Sequence, residues 1–225
     1  MQNTRYGIRA TKYEIERSIN MSKTFNILFL VVALTVGSFY PVFAQVGNGK
    51  AAPNFTLKDS NGNDVSLSQF QGKYVVMEWL NYDCPFVKKH YGSGNIQNLQ
   101  KIYTGKDVTW LSIISSAPEQ QGYYEAADVN RFNEEKKASP TAILLDPAGT
   151  VGKLYGAQTT PHMFVIDSKG ILVYQGAIDD IRSTNPDDVA RARNYVSAAL
   201  DEVMAGKPVS VPSTKSYGCS VKYQQ

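Results

Sequence analysis

The chain has little of what most often carries chemistry: 2 cysteines, 2 histidines and 2 tryptophans in 225 residues. So few cysteines exclude a disulfide-framework fold, and the sequence has neither a Cys-x-x-Cys pair nor the spacing of a compact zinc motif. Charge of one sign is scarce as well. The formal net charge is +3, and residues 1–44, with five basic and two acidic side chains, account for all of it. The rest of the chain is neutral, which removes the electrostatic footprint of a nucleic-acid partner. Long hydrophobic runs are missing too. Residues 27–36 make a largely apolar stretch of ten, about half the ~20 residues that a membrane-spanning helix needs. No repeat or low-complexity tract stands out, and no motif points to a cofactor.

What the amino-terminal region does have is a recognisable order. Lys23 precedes the apolar stretch, and small and aromatic residues lead to Ala44-Gln45. Residues 21–44 therefore read as a secretory signal peptide cleaved after Ala44, with Met21 as the start and residues 1–20 as a patternless preface. The chain is then exported, to the periplasm or cell envelope or as a secreted protein. The alternative is an uncleaved anchor, the one route by which this chain would touch a membrane. Residues 45–206 have the length of one domain, and 207–225 form a tail with no periodicity that carries Cys219.

Within the domain, residues 54–57 and 65–67 read as strands flanking the Asn61-Gly62 hairpin signal. Residues 74–80 and 108–115 are near-continuous apolar strands of the doubly covered type. Helical spacing follows at 96–103, a polar helix at 122–137, a strand at 141–145 and a helical turn at 151–155. Strands at 162–166 and 171–174 form a hairpin across Asp167 to Gly170. One closing helix is expected from its cap Asn185, through Pro186, to a stop at Gly206. Strand–helix alternation ending in a hairpin and a helix predicts an α/β three-layer sandwich with a mixed sheet and helices on both faces.

The informative residue is Cys84, at the junction between the 74–80 strand and a helix beginning at Pro85. A cysteine there meets the first-turn N–H groups and the positive end of the helix dipole, which favour the reactive thiolate. The bland alternative is a small buried hydrophobe. Asn81, three residues earlier, has a side-chain N–H to offer a thiolate or peroxide, and equally suits a turn before the helix.

The strand–Cys84-Pro85–helix element, Thr160-Pro161 ahead of a strand, and the terminal hairpin and helix together resemble the thioredoxin-like superfamily. The run Ala52-Pro53-Asn54-Phe55-Thr56-Leu57 is similar to the opening segment of the alkyl hydroperoxide reductase/thiol-specific antioxidant (redoxin) branch. The resemblance implies that Cys84 is the attacking cysteine and that Pro161 is a cis-proline facing it. It places His162 beside the sulfur, where a protonated ring would favour the thiolate, and makes Glu78 a candidate for a carboxylate buried beneath it. Two departures matter. Val87 stands where a second thioredoxin cysteine would be, and Met77 and Asn81 replace the proline and Thr/Ser of peroxiredoxins.

A lone attacking thiol needs a second one to resolve its product, and Cys219 is the only candidate in the chain. The expectation is an exported thiol–disulfide oxidoreductase or peroxiredoxin-like antioxidant that exchanges with a disulfide or peroxide substrate and an external thiol reductant protein. A static Cys84–Cys219 bridge and an unpaired Cys219 remain open. So does a non-catalytic envelope protein delivering copper or a partner, for which two Cys and two His would be a nominal ligand set. Trp79 and Tyr82 are candidates for an apolar rim, and His90 for an exposed helix position beside Lys88 and Lys89.

Overall fold

The computed structural model describes residues 46–224; the expected leader and signal peptide lie outside them. Strands β1 (Thr56–Asp59) and β2 (Asp64–Ser66) form the hairpin, joined by Asp59, whose carboxylate accepts from the N–H groups of Asn61 and Asn63. β3 (Val75–Trp79) leads into α1 (Pro85–Gly92) and α2 (Asn95–Thr104). Then come β4 (Thr109–Ile114), α3 (Ala126–Glu135), β5 (Ala142–Leu145) and α4 (Thr150–Tyr155). β6 (Thr159–Thr160) and the hairpin β7 (His162–Ile166) and β8 (Leu172–Gly176) precede α5 (Tyr195–Met204) and β9 (Cys219–Ser220).

The main sheet runs β2-β1-β5-β4-β3-β7-β8, with β3, β4 and β5 parallel and the remaining pairs antiparallel. This is the mixed α/β three-layer sandwich that the alternation of elements predicts, and it has the thioredoxin-like form that the resemblance implies. The central strands are buried on both faces, which explains their unbroken apolar sequence. Strand periodicity of two splits their side chains between two cores. Val76, Trp110, Ile114, Met163 and Val165 face α1, α2, α3 and α5. Met77, Trp79, Leu111, Ile113, Phe164 and Ile166 face the amino-terminal segment and α4.

Three expectations change. The closing helix is two pieces: Pro186–Ala190 is a 3-10 turn, and α5 starts only at Tyr195 with Asn194 accepting from Ser197 N–H. Asp180 explains the break, since its carboxylate accepts from Arg193 N–H and so competes with helix continuation. α3 begins four residues later than expected, because Gly122 adopts φ +86° and the preceding residues turn. β8 reaches Gly176 because the tail pairs with it, Gln175 N–H donating to Pro212 O and Thr214 N–H to Gln175 O.

A carboxyl group interrupts the first core. Glu78 is fully buried on β3, and its Oε2 accepts from Trp110 Nε1 (3.0 Å), Ser112 Oγ (3.1 Å) and Tyr91 OH (3.4 Å), while Oε1 has no partner. Burial raises its pKa to about 7 against the pull of those three donors. The folded chain thus holds this proton more tightly than the unfolded one. Its stabilising contribution is complete below about 4.5, falls as pH rises and is gone above about 7. Over that interval the wild type should lose up to about 3 kcal/mol relative to Glu78→Gln. Urea midpoints measured across the range check this; parallel curves for the two proteins would contradict it.

Candidate functional site

Cys84 is the N-cap of α1, with Pro85 at the first helical position and Lys88 N–H closing onto the Cys84 carbonyl. Its side chain has no solvent exposure. The sulfur lies 3.0 Å from the carbonyl oxygen of Thr160, and the Thr160–Pro161 peptide bond is cis. The second neighbour is the tail. β9 pairs antiparallel with β6, with Thr160 opposite Cys219, and the Cys219 N–H donates to the Cys84 sulfur at 3.4 Å. The structure therefore brings together Cys84, Pro85, Thr160, Pro161 and Cys219, and both thiols are free.

The tail reaches this place by a series of anchors. Thr214 Oγ1 accepts from Ala177 N–H and bonds to Tyr174 OH, Val221 N–H donates to Gln158 O, and Ala117 N–H donates to Lys222 O. Tyr223 OH donates to Ala157 O at 2.6 Å, with its ring against Gly152, where a Cβ would lie 2.5 Å from the hydroxyl. Gly218 makes the closest approach. Its φ is +137°, and a Cβ there would sit 2.0 Å from the Thr160 carbonyl oxygen. Only glycine admits both the conformation and the contact.

The two thiols are electrostatically unequal. Burial of Cys84 disfavours its anion, but hydrogen bonds with Cys219 and Thr160 and the amides of Val87 and Cys219 outweigh it, so its pKa falls below the ordinary value. Burial and the adjacent Cys84 push Cys219 up to about 11. Cys84 is therefore the more acidic of the two thiols, and Cys219 the one that holds its proton more tightly.

Several expected roles are corrected. His162 is buried, and its Nδ1 accepts from Gln158 N–H at 3.2 Å while its ring packs on Phe164. Burial lowers its pKa to about 4, so it is neutral at physiological pH and supplies no cation to the thiolate. Asn81 is committed to the turn. Its Oδ1 accepts from Asp83 N–H (2.9 Å) and Tyr124 OH (3.2 Å), and its Nδ2 faces Gln121 O (3.4 Å). Trp79 and Tyr82 form no rim, because both are core residues, Trp79 bonded to Ser115 Oγ and Tyr82 packed against Tyr91, Tyr124 and Phe132. His90 and Lys89 are buried, covered by the tail and the segment around Asp179. Among the described residues no group of three or more His, Cys, Asp or Glu is placed to hold a metal.

The Redoxin family model matches residues 47–195, most of the described domain and the segment bearing Cys84 and Pro161. The chain belongs to the Redoxin family. Among curated proteins it is 30% identical over 148 residues to a putative chloroplastic peroxiredoxin Q of Oryza sativa subsp. indica, an alignment covering 62% of this chain and 63% of that protein. It is 25% identical over 150 residues to the thiol-disulfide oxidoreductase ResA of Bacillus subtilis, covering 65% of this chain and 78% of that one. Among solved structures, an uncharacterized conserved protein of Geobacillus kaustophilus superposes with a TM-score of 0.69 at 30% identity, covering 79% of this chain and 93% of the other. The family match ends at 195, so Cys219 lies beyond it.

Sequence reasoning passed over Tyr217, Gly218 and Tyr223, which seat the tail. The one available signal was a glycine directly before a cysteine in an aperiodic tail. Substituting Gly218→Ala should weaken the docking of β9 by about 1–3 kcal/mol through strain at the positive φ and the clash with Thr160. In a Cys219→Ser background this reads out as faster alkylation of Cys84 per unit of thiolate. An unchanged rate would show that the tail does not cover the sulfur.

Proposed function

We propose that this redoxin is an exported thiol-dependent oxidoreductase in which Cys84 and Cys219 alternate between dithiol and disulfide. The observation that carries the reading is the 3.4 Å approach of the Cys219 amide to the Cys84 sulfur, with the tail strand paired to Thr159–Thr160. The likeness to a named thiol-disulfide oxidoreductase supports the reaction class, and the signal-peptide pattern in residues 21–44 supports export.

The Cys84 thiolate attacks one sulfur of a substrate disulfide, forming a mixed disulfide and expelling the first substrate thiolate. Cys219 then loses its proton and attacks the Cys84 sulfur. The intramolecular disulfide forms as the mixed disulfide breaks, and the electron pair leaves on the second substrate thiolate. The substrate is reduced by two electrons and the pair is oxidised by two. An external thiol protein restores the dithiol. Holding both cysteines in one chain, with the Cys219 amide 3.4 Å from the Cys84 sulfur, makes the resolving step intramolecular, which favours it over capture by a free thiol.

Peroxide reduction at the same two cysteines is the second reading, favoured by the likeness to peroxiredoxin Q. There the peroxide oxidises Cys84 to a sulfenic acid, and Cys219 displaces water from it. Thiol–disulfide exchange ranks first because Asn81, at the position of the peroxiredoxin Thr/Ser, is bound to its own turn.

Glutathione disulfide offered to the reduced chain tests the assignment. The wild type should form a Cys84–Cys219 disulfide with release of glutathione, Cys219→Ser should accumulate a mixed disulfide on Cys84, and Cys84→Ser should be inert. Absence of any reaction in the wild type would move the protein to a binding role.

A further inference from the structure

A buried ionic cluster outside the reacting pair has no part in the chemistry described above. Lys89 on α1 has no side-chain exposure, and its Nζ lies 3.3 Å from Asp179 Oδ2 and 3.0 Å from the carbonyl oxygen of Ile181. His90, the next residue, is equally buried. Asn95 Nδ2 donates to its Nδ1 at 2.8 Å, so the ring proton sits on Nε2, which faces Tyr217 OH at 3.2 Å. Tyr217 OH in turn donates to Asp179 Oδ1. One neutral imidazole, one phenol, one carboxylate and one ammonium thus share a closed network.

Stability alone is a weak reason for such a cluster. Withdrawing a lysine and a carboxylate from water costs several kcal/mol per ion, and well-packed apolar residues often replace a buried ion pair without loss. What an ionic cluster supplies in addition is register, because its bonds form in only one alignment of the parts. Here the parts are the helix that bears Cys84 and the tail that bears Cys219. Tyr217 lies two residues before Cys219, and its ring packs on Phe86, two residues after Cys84, at 5.6 Å between centroids. Lys89 Nζ stands 5.9 Å above the same ring. The tail is therefore gripped from α1 and from the segment after β8 at once, one short step from the sulfur.

We propose that Tyr217, held by Asp179, His90 and Lys89, is a positioning residue that sets the register of the tail and so the effective concentration of Cys219 at Cys84. The inference rests on the pairing of those two cysteines and adds the device that aligns them. In the reduced chain the latch keeps Cys219 beside the thiolate, so closure needs no search of the tail. In the oxidised chain the disulfide itself holds the tail, so the latch matters most before closure, in the dithiol state.

The test is the equilibrium between dithiol and disulfide in full-length protein, titrated with mixtures of reduced and oxidised glutathione and read by mass. Tyr217→Phe keeps the ring on Phe86 and deletes the hydroxyl that binds Asp179 and His90. Its intramolecular disulfide should be about tenfold or more less favourable than that of the wild type, a shift of about 30 mV per tenfold, while in a Cys219→Ser background Cys84 still forms a mixed disulfide, no more slowly than it does with Tyr217 intact. The second result separates positioning from general damage to the fold. An unchanged equilibrium in Tyr217→Phe would overturn the latch. If the wild type forms no Cys84–Cys219 disulfide at any glutathione ratio, the pairing itself fails, and the latch with it. Should Tyr217→Phe not fold, Asp179→Asn reads the same equilibrium, and an unchanged value there overturns the proposal equally.

Discussion

Two residues of antiparallel pairing, Cys219 and Ser220 against Thr159 and Thr160, hold together the end of the sheet where Cys84 lies. A ladder that short is not stable by itself in water. It persists because the chain on either side is fastened: Thr214 and Tyr217 before it, Val221, Lys222 and Tyr223 after it. The consequence is a fully buried Cys84 whose sulfur makes its hydrogen bonds with the Thr160 carbonyl and the Cys219 amide. A segment that looks like a trailing end thus completes the site.

That completion has an electrostatic result. A thiol buried without partners would be pushed toward its neutral form and become inert. Here the amide and thiol of Cys219 replace the lost water, so Cys84 is made the more acidic thiol while Cys219 holds its proton more tightly. The inequality suits a pair in which one sulfur attacks and the other waits. No titrating histidine takes part, since burial keeps both His90 and His162 neutral near pH 7. The buried Glu78 is a separate matter; its bonds run to Trp110, Ser112 and Tyr91 within the core.

The sandwich was legible because its signals are local and strong. Unbroken apolar strands, the Asn61-Gly62 turn and the Cys84-Pro85 helix start each act within a few residues, and the structure repeats them. Cys84 and Pro85 were likewise readable from their immediate context, whereas the cis Thr160–Pro161 bond followed only from the resemblance to the thioredoxin-like superfamily, since its local sequence suits a trans bond equally well. What escaped depends on distant contacts. Lys89 and His90 look like a solvated helix face until Asp179, 90 residues away in sequence from Lys89, covers them. Asn81 looks free until Tyr124 binds it. The break at Arg193 and Asn194 is invisible in an apolar stripe that continues through it, because its cause is Asp180. The tail has no periodicity to read, since its order comes from the surface on which it lies.

The inequality of the two thiols is the property on which the site depends. Selective labelling of the cysteines of the reduced full chain and titration by nuclear magnetic resonance would follow each sulfur separately. Cys84 should titrate below the ordinary thiol value of about 8.5, and Cys219 well above it, near 11. Two cysteines titrating together near the ordinary value would mean that the tail does not hold Cys219 against Cys84, and the site as described would not exist.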